Sequence, residues 1–189
     1  MAMPVAPILP DREIWTIDDL EQLPDDGNRY EVLHGELLVT SAPSHRHQNA
    51  ATALSYLLFA WCREQTGWAA LGVGGFYVDR TTFLLPDVAL YEMDQHSAAP
   101  WTDVPPPVIV IEVLSPSTRR RDRHRKRPAY LWHGVREVWL VNVATRVIER
   151  WTAGAEFPVV ESQSFSWSPR ADVPAIVVEF ATVFGPSET

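Results

Sequence analysis

Residues 108–114 read VIVIEVL, an almost unbroken run of β-branched and aliphatic side chains. Such a run is typical of a central strand that is covered on both faces. Glu112 interrupts it, and an ionised carboxylate in a buried strand is costly unless a cation, a metal or hydrogen-bond donors compensate its charge. The stretch therefore predicts a buried sheet with a charged site on it.

A second apolar stretch, LLPDVAL at residues 84–90, also contains one acid, Asp87. If the two stretches form adjacent strands, Asp87 and Glu112 converge. Carboxylate oxygens are the ligands that Mg²⁺ or Mn²⁺ prefers, and such a metal can activate water and neutralise charge on a phosphoryl oxygen. We therefore expect metal-dependent hydrolysis of a phosphodiester. The alternative is that both acids lie at strand ends and pair with arginines.

Apolar periodicity and turn residues predict an α/β arrangement. A short helix is expected to begin after the cap Thr16, with two main helices at about 44–65 and 118–133. The predicted strands are 29–33, 37–40, 68–78, 83–91, 108–114, 137–143, 146–152 and 176–180. The first two strands form a hairpin in which Gly35 takes unusual dihedral angles, and 146–152 has the alternation of an edge strand.

Length and composition predict a single domain over residues 1–189, since 46% of the residues are hydrophobic. No apolar run reaches the roughly 18 residues of a membrane span, and residues 1–11 lack the pattern of a secretion signal. Cys62 is the only cysteine, so an internal disulfide is excluded, which is compatible with a reducing compartment. We expect a cytoplasmic protein.

Several motifs occur in a consistent order along the chain. They are Arg29-Tyr30-Glu31, Gly35-Glu36-Leu37, Pro86-Asp87-Val88, Glu112 to Thr118, the trio Asp122, Lys126 and Tyr130, and Gly134-Val135 followed by Glu137 to Val141. They resemble the bacterial putative restriction endonuclease family, a branch of the PD-(D/E)XK nuclease superfamily. The resemblance implies a restriction endonuclease-like fold, a mixed sheet flanked by helices, over a core of about 16–152. Residues 153–189 would then be an extension that packs as an extra strand at the edge.

The resemblance also implies roles for individual residues. Asp87 and Glu112 would bind Mg²⁺ or Mn²⁺ together with the backbone carbonyl of Val113. Glu31 would complete the acidic cluster, although a carboxylate on a hairpin could instead form a surface ion pair.

The catalytic lysine is displaced from its usual position. The superfamily pattern has a lysine two residues after the second acid, where this chain has Leu114. The resemblance places it on the following helix as Lys126, where it would position the attacking water; a solvated surface lysine is the alternative. On an uninterrupted helix Asp122, Lys126 and Tyr130 share one face. Pro128 predicts either a kink or a later start of this helix.

Charge is unevenly distributed along the chain. The net charge of −8 disfavours a polyanion at long range, but the basic segment Arg119–Arg127 holds seven of the sixteen Lys and Arg residues. The candidate DNA contacts are Arg119, Arg120, Arg121, Arg123 and Arg125, with His47 at the start of the preceding main helix. The alternatives are solvation or subunit contacts for the arginines, and capping or packing for His47.

These features together predict a Mg²⁺-dependent DNA endonuclease. A nuclease fold that binds nucleic acid without turnover is one alternative, and an accessory subunit whose partner supplies activity is another. We expect a homodimer, because two sites are needed to cut two strands.

Overall fold

The computed structural model describes residues 12–186. The helices are α1 (Ile17–Leu20), α2 (His45–Glu64), α3 (Arg119–Arg121), α4 (Arg127–Trp132) and α5 (Phe180–Phe184), with a 3₁₀ turn at Trp101–Asp103 and a π turn at Asp122–Lys126. The strands are β1 (Arg29–Leu33), β2 (Glu36–Thr40), β3 (Ala69–Gly72), β4 (Phe76–Asp79), β5 (Thr82–Leu84), β6 (Val88–Tyr91), β7 (Ile109–Val113), β8 (Glu137–Asn142), β9 (Val147–Thr152), β10 (Val159–Glu161), β11 (Phe165–Trp167) and β12 (Ile176–Val178). The protein is a mixed α and β fold, as the sequence predicted.

The larger sheet has six strands in the order β10-β9-β8-β7-β6-β3. β7 lies inside this sheet, where it pairs in parallel with β8 and antiparallel with β6. Every residue of β7 is buried, as its apolar sequence predicts. Ile111 and Val113 pack into the core that contains α2, whereas Val110 packs with α4. Because side chains alternate along a strand, Glu112 points to the α4 side.

The smaller sheet has the order β2-β1-β5-β4 and contains the predicted hairpin of β1 and β2. Both His34 and Gly35 have positive φ angles, 52° and 79°. Two such residues form the tight two-residue turn that suits the twist of a hairpin. Glu36 therefore belongs to β2 rather than to the turn.

The two long strands predicted at 68–78 and 83–91 are wrong, because each is divided between the two sheets. β3 and β6 belong to the larger sheet, and β4 and β5 to the smaller one. Gly74 and Gly75 separate β3 from β4. Pro86 lacks the N–H group that a continuous paired strand needs, and it separates β5 from β6. Asp87 thus lies where the chain crosses from one sheet to the other.

The helix predicted at 118–133 is one helical segment made of α3, the π turn and α4. Pro128 lies in the first turn of α4, and the preceding π turn is closed by the Arg127 N–H, which donates to the Asp122 carbonyl. A π turn inserts one extra residue into a helix without ending it. Asp122, Lys126 and Tyr130 are all buried, so the three side chains lie on the inward side.

The chain after residue 152 adds strands and a helix around the larger sheet. β10 pairs with β9, so the edge position predicted for residues 146–152 is wrong and β10 is the edge strand. β11 and β12 form a separate hairpin, and α5 begins at Phe180, inside the last predicted strand. Trp167, Val178 and Phe180 join the core on the α2 side.

No helix between residues 12 and 186 is long and apolar enough to cross a membrane. Cys62 is buried in α2 as a free thiol. The expectation that residues 1–11 carry no secretion signal lies outside the described residues.

Candidate active site

Asp87 and Glu112 face each other across the pair of β6 and β7. Val88 pairs with Ile111 in antiparallel register, so the next position places Asp87 opposite Glu112. Directly opposed side chains share a face of the sheet. Both carboxylates are buried, and both line a cavity of about 230 Å³, which we call the carboxylate cavity. Two acids distant in sequence therefore converge on one space.

Glu112 is compensated from the helix that follows β7. Its Oε1 atom lies 2.6 Å from Nζ of Lys126 and accepts a 2.7 Å hydrogen bond from the Tyr130 hydroxyl. Burial raises the pKa of Glu112 above its ordinary value, and the nearby charge of Asp87 adds to this rise while Lys126 opposes it. The positive charge of Lys126 therefore does not fully offset the cost of burying Glu112 in its ionised form.

Lys126 points inward, with 2% of its side chain exposed. Its Nζ atom lies 2.8 Å from Oε1 of Glu31 in addition to its contact with Glu112. Burial alone would lower the pKa of Lys126, but Glu112 and Glu31 raise it above the ordinary lysine value. Lys126 is therefore a charged ammonium inside the site and not a solvated surface group.

Glu31 links the smaller sheet to this site. Its Oε1 atom accepts a 2.7 Å hydrogen bond from the backbone N–H of Leu85, one residue before Pro86. Glu31 is 1% exposed, so it does not form the surface ion pair that was the alternative. Glu31 instead contacts both Lys126 and Leu85, and Leu85 lies just before Asp87 where the chain passes from one sheet to the other.

Asp87 is held by three donors. Arg29 donates to Oδ1 at 2.8 Å, while Oδ2 lies 3.1 Å from Nε2 of His47 and accepts the Val113 N–H at 2.8 Å. Burial would raise the pKa of Asp87, but the hydrogen bond from His47 and the charge of Arg29 lower it to about 2. Asp87 is thus ionised and paired with an arginine, as the alternative from the sequence proposed, whereas Glu112 is paired with a lysine.

The donor set suits a hard divalent cation. Both hydrogen bonds that Glu112 accepts from described residues end on Oε1, which leaves Oε2 without a protein donor. The N–H and C=O of one strand residue face the same neighbour, so the Val113 carbonyl lies on the Asp87 side. Within residues 12–186, no three His, Cys, Asp or Glu side chains are grouped to hold a metal. Mg²⁺ commonly takes one or two carboxylates and keeps several waters, so this set is sufficient.

The basic segment is largely engaged by the protein itself. Arg121 binds Val39 and Thr40 of β2, Arg123 pairs with Glu149, and Arg125 pairs with Glu36. Arg119 and Arg120 are exposed, and neither forms an ion pair with any residue of the described range 12–186. Of the five arginines predicted to bind nucleic acid, three are therefore bound to acceptors of the protein, whereas Arg119 and Arg120 are exposed and form no ion pair with a described residue.

Three side chains of this site were not among the predicted site residues. Arg29 lies two residues before Glu31 on β1, and this spacing places both on one face of the strand. Tyr130 and Asp122 flank Lys126 at four-residue spacing, and Asp122 also lines the carboxylate cavity. Asp122 is the fourth carboxyl group of this cavity, and burial raises its pKa.

Comparison with known proteins gives both a family and a fold. The sequence model of the Uma2 family, described as "Putative restriction endonuclease", matches residues 17–181. The chain is also similar to a solved structure from Anabaena variabilis ATCC 29413, described as a putative nuclease belonging to DUF820. The two have a TM-score of 0.68 at 17% sequence identity, over 89% of this chain and 97% of that chain, which shows a shared fold. A search of curated proteins found no match.

Proposed function

Because this chain belongs to the Uma2 family of putative restriction endonucleases, we propose that it is a Mg²⁺-dependent endonuclease that hydrolyses DNA phosphodiester bonds. One observation carries the proposal: two buried carboxylates, Asp87 and Glu112, face one cavity together with the buried ammonium of Lys126. Carboxylates that bind a hard cation beside a fixed positive charge can activate water and stabilise the charge that develops in phosphodiester hydrolysis.

Asp87, Glu112 and the carbonyl of Val113 would hold Mg²⁺ or Mn²⁺. When bound, the cation supplies a water of lowered pKa and neutralises charge on the phosphoryl oxygen. Arg29 and His47 orient Asp87 and keep it ionised, since both bind its carboxylate. Glu31 extends the acidic cluster and fixes the position of Lys126.

Lys126 has one hydrogen-bond donor to spare. An ammonium carries three N–H groups, and two of them are directed to Glu31 and Glu112. Since Lys126 lines the carboxylate cavity, the third can bind the attacking water or a phosphoryl oxygen. A buried ammonium at this place stabilises the charge that develops in the transition state.

Metal-dependent cleavage tests the proposal. Purified protein is incubated with plasmid DNA, single-stranded DNA and RNA in Mg²⁺, in Mn²⁺ and in EDTA. We expect DNA cleavage that needs the metal and that is lost in Glu112→Gln. If all three substrates stay intact in both metals, or if Glu112→Gln cleaves as well as the unchanged protein, the proposal is wrong.

A nuclease fold without turnover is the second candidate. It is favoured by the pairing of each carboxylate with a cation of the protein, since Asp87 is bound by Arg29 and Glu112 by Lys126. A metal would then have to compete with protein cations. DNA binding without cleavage, together with no Mn²⁺ affinity, would support this second candidate or an accessory subunit.

Homodimerisation and a cytoplasmic location stay predictions. A dimer would place two sites on the two strands of a duplex. Sedimentation of the purified protein at micromolar concentration tests it, and a monomer would contradict it.

A further inference from the structure

A second and larger cavity opens beside the carboxylate cavity. It has a volume of about 940 Å³, within the range of ligand-binding clefts, and we call it the apolar cavity. Arg29, His47 and Asp87 line both cavities, so the two spaces meet at the carboxylate that we propose as a metal ligand. A substrate whose phosphate lies at Asp87 would therefore reach the apolar cavity with the adjoining nucleotide.

The lining of the apolar cavity suits a flat and largely apolar group. Tyr30 and Phe83 contribute aromatic rings, and Leu85 and Val73 contribute aliphatic surface. Arg29 lies at the junction, where its guanidinium is bound to Asp87 and to the Leu85 carbonyl. Proteins bind unstacked bases on aromatic and aliphatic surface of this kind, because the flat rings stack on it.

Val73 has a conformation that its own side chain disfavours. Its φ angle is +54°, which is rare for a β-branched residue, and its side chain is 56% exposed. Its N–H donates a 3.0 Å hydrogen bond to the backbone carbonyl of Asp87. An exposed apolar side chain that is held in a strained conformation and tied to Asp87, the proposed metal ligand, points to a functional contact.

The charge distribution disfavours a paired duplex as the main ligand. Duplex binding depends on many phosphate contacts from lysine and arginine. Here the net charge is −8, and Arg121, Arg123 and Arg125 bind acceptors of the protein itself. Arg119 and Arg120 offer few phosphate contacts by comparison, so contacts with bases have to add affinity, and a single strand is the DNA form that offers unstacked bases.

We propose that the apolar cavity binds an unstacked base of single-stranded DNA next to the scissile phosphate, with Val73 and Phe83 as its contacts. The inference rests on the proposed function for the position of the phosphate. It names the substrate class as single-stranded or locally unpaired DNA.

Binding in the absence of metal tests this inference separately from cleavage. Fluorescence anisotropy in EDTA compares a labelled single strand with the same strand annealed into a duplex. We expect the single strand to bind at least about tenfold more tightly, and Val73→Asn and Phe83→Leu each to weaken it by about fivefold or more, as expected when one base contact is lost. Asparagine accepts the left-handed conformation, so Val73→Asn should unfold at the same denaturant concentration as the unchanged protein or a higher one.

Val160→Asn is the matched control, since Val160 is an exposed valine on β10 that lines neither cavity, and it should bind as the unchanged protein does. Equal or tighter binding of the duplex, or unchanged single-strand affinity in both cavity variants, would overturn the inference. Cleavage of a duplex alongside such a result would leave the proposed function intact. Preferential single-strand binding that both cavity variants weaken, without any cleavage, would support base binding in the apolar cavity and contradict the proposed function.

Discussion

Lys126 and Glu112 form a buried ion pair, with Nζ 2.6 Å from Oε1 and side chains that are 2% and 5% exposed. The two residues come from different elements, the π turn and β7. An ion pair in such a setting contributes little net stability, because desolvation offsets the Coulomb attraction, whereas removal of one partner leaves a charge without compensation. The pair is therefore better explained by a functional role than by a need for stability.

Lys126→Met should separate stability and metal binding from catalysis. Loss of the ammonium leaves Glu31 and Glu112 without their cation, so we expect the free energy of unfolding to fall by about 3–5 kcal/mol. Mn²⁺ affinity should persist or rise, because a positive charge that repels the metal is gone, while cleavage should be lost. Urea unfolding, Mn²⁺ titration calorimetry and a plasmid assay measure the three effects.

Arg136→Met is the control for this substitution. Arg136 forms a surface ion pair with Glu92 away from both cavities, so its loss should cost no more than about 1 kcal/mol and leave cleavage unchanged. Weaker Mn²⁺ binding in Lys126→Met than in the unchanged protein would contradict the assigned role.

Glu112→Gln should abolish Mn²⁺ binding, because an amide oxygen replaces the carboxylate that faces the cavity. Crystals soaked in Mn²⁺ should show anomalous density between Asp87 and Glu112 in the unchanged protein and none in the variant. Glu149→Gln removes a carboxylate that pairs with Arg123 away from the cavity, and it should keep the metal. Metal density that survives in Glu112→Gln would assign the ligands elsewhere.

Tyr130→Phe removes the hydroxyl that donates to Oε1 of Glu112. A hydrogen bond to a charged group contributes about 1.5–3 kcal/mol, so unfolding should become easier by about that amount. If Glu112 is a metal ligand as proposed, loss of the hydroxyl that orients it should also weaken Mn²⁺ binding, by about 10- to 100-fold. Tyr91→Phe is the control, since its buried hydroxyl donates to the Gly75 carbonyl outside the carboxylate cavity. Equal Mn²⁺ affinity in both variants would show that Tyr130 is only structural.

The double variant Arg119→Ala/Arg120→Ala tests which part of the basic segment binds DNA. Both side chains are exposed, so their loss should weaken DNA binding and reduce the slope of log affinity against log salt by about one per phosphate contact. Arg123→Ala should leave that slope unchanged, since Arg123 pairs with Glu149. The reverse result would mean that the ion pairs open on binding. Anisotropy titrations at several salt concentrations give the slopes.

The fold was largely predictable where local patterns carry the information. The apolar run of β7, the hairpin at His34-Gly35 and the long helix α2 all follow from periodicity and turn residues that act over a few positions. The division of each long predicted strand between the two sheets was not predicted. Which sheet a segment joins depends on partner strands that are distant in sequence, such as β1 for β5 and β7 for β6. The pairing of β10 with β9 was also not predicted, although the two strands are close in sequence, because β10 has three residues and too short a pattern to indicate a strand.

By itself the sequence determined that two acids, Asp87 and Glu112, lie within apolar stretches and need compensation once buried, since burial of a charge is costly wherever it occurs. Only the tertiary structure decided how each is compensated: Asp87 by Arg29 and His47, and Glu112 by Lys126 and Tyr130. The physical reason is that charge and hydrogen-bond partners act over a few ångströms in space, and the chain brings them together only after both sheets and the π turn have formed.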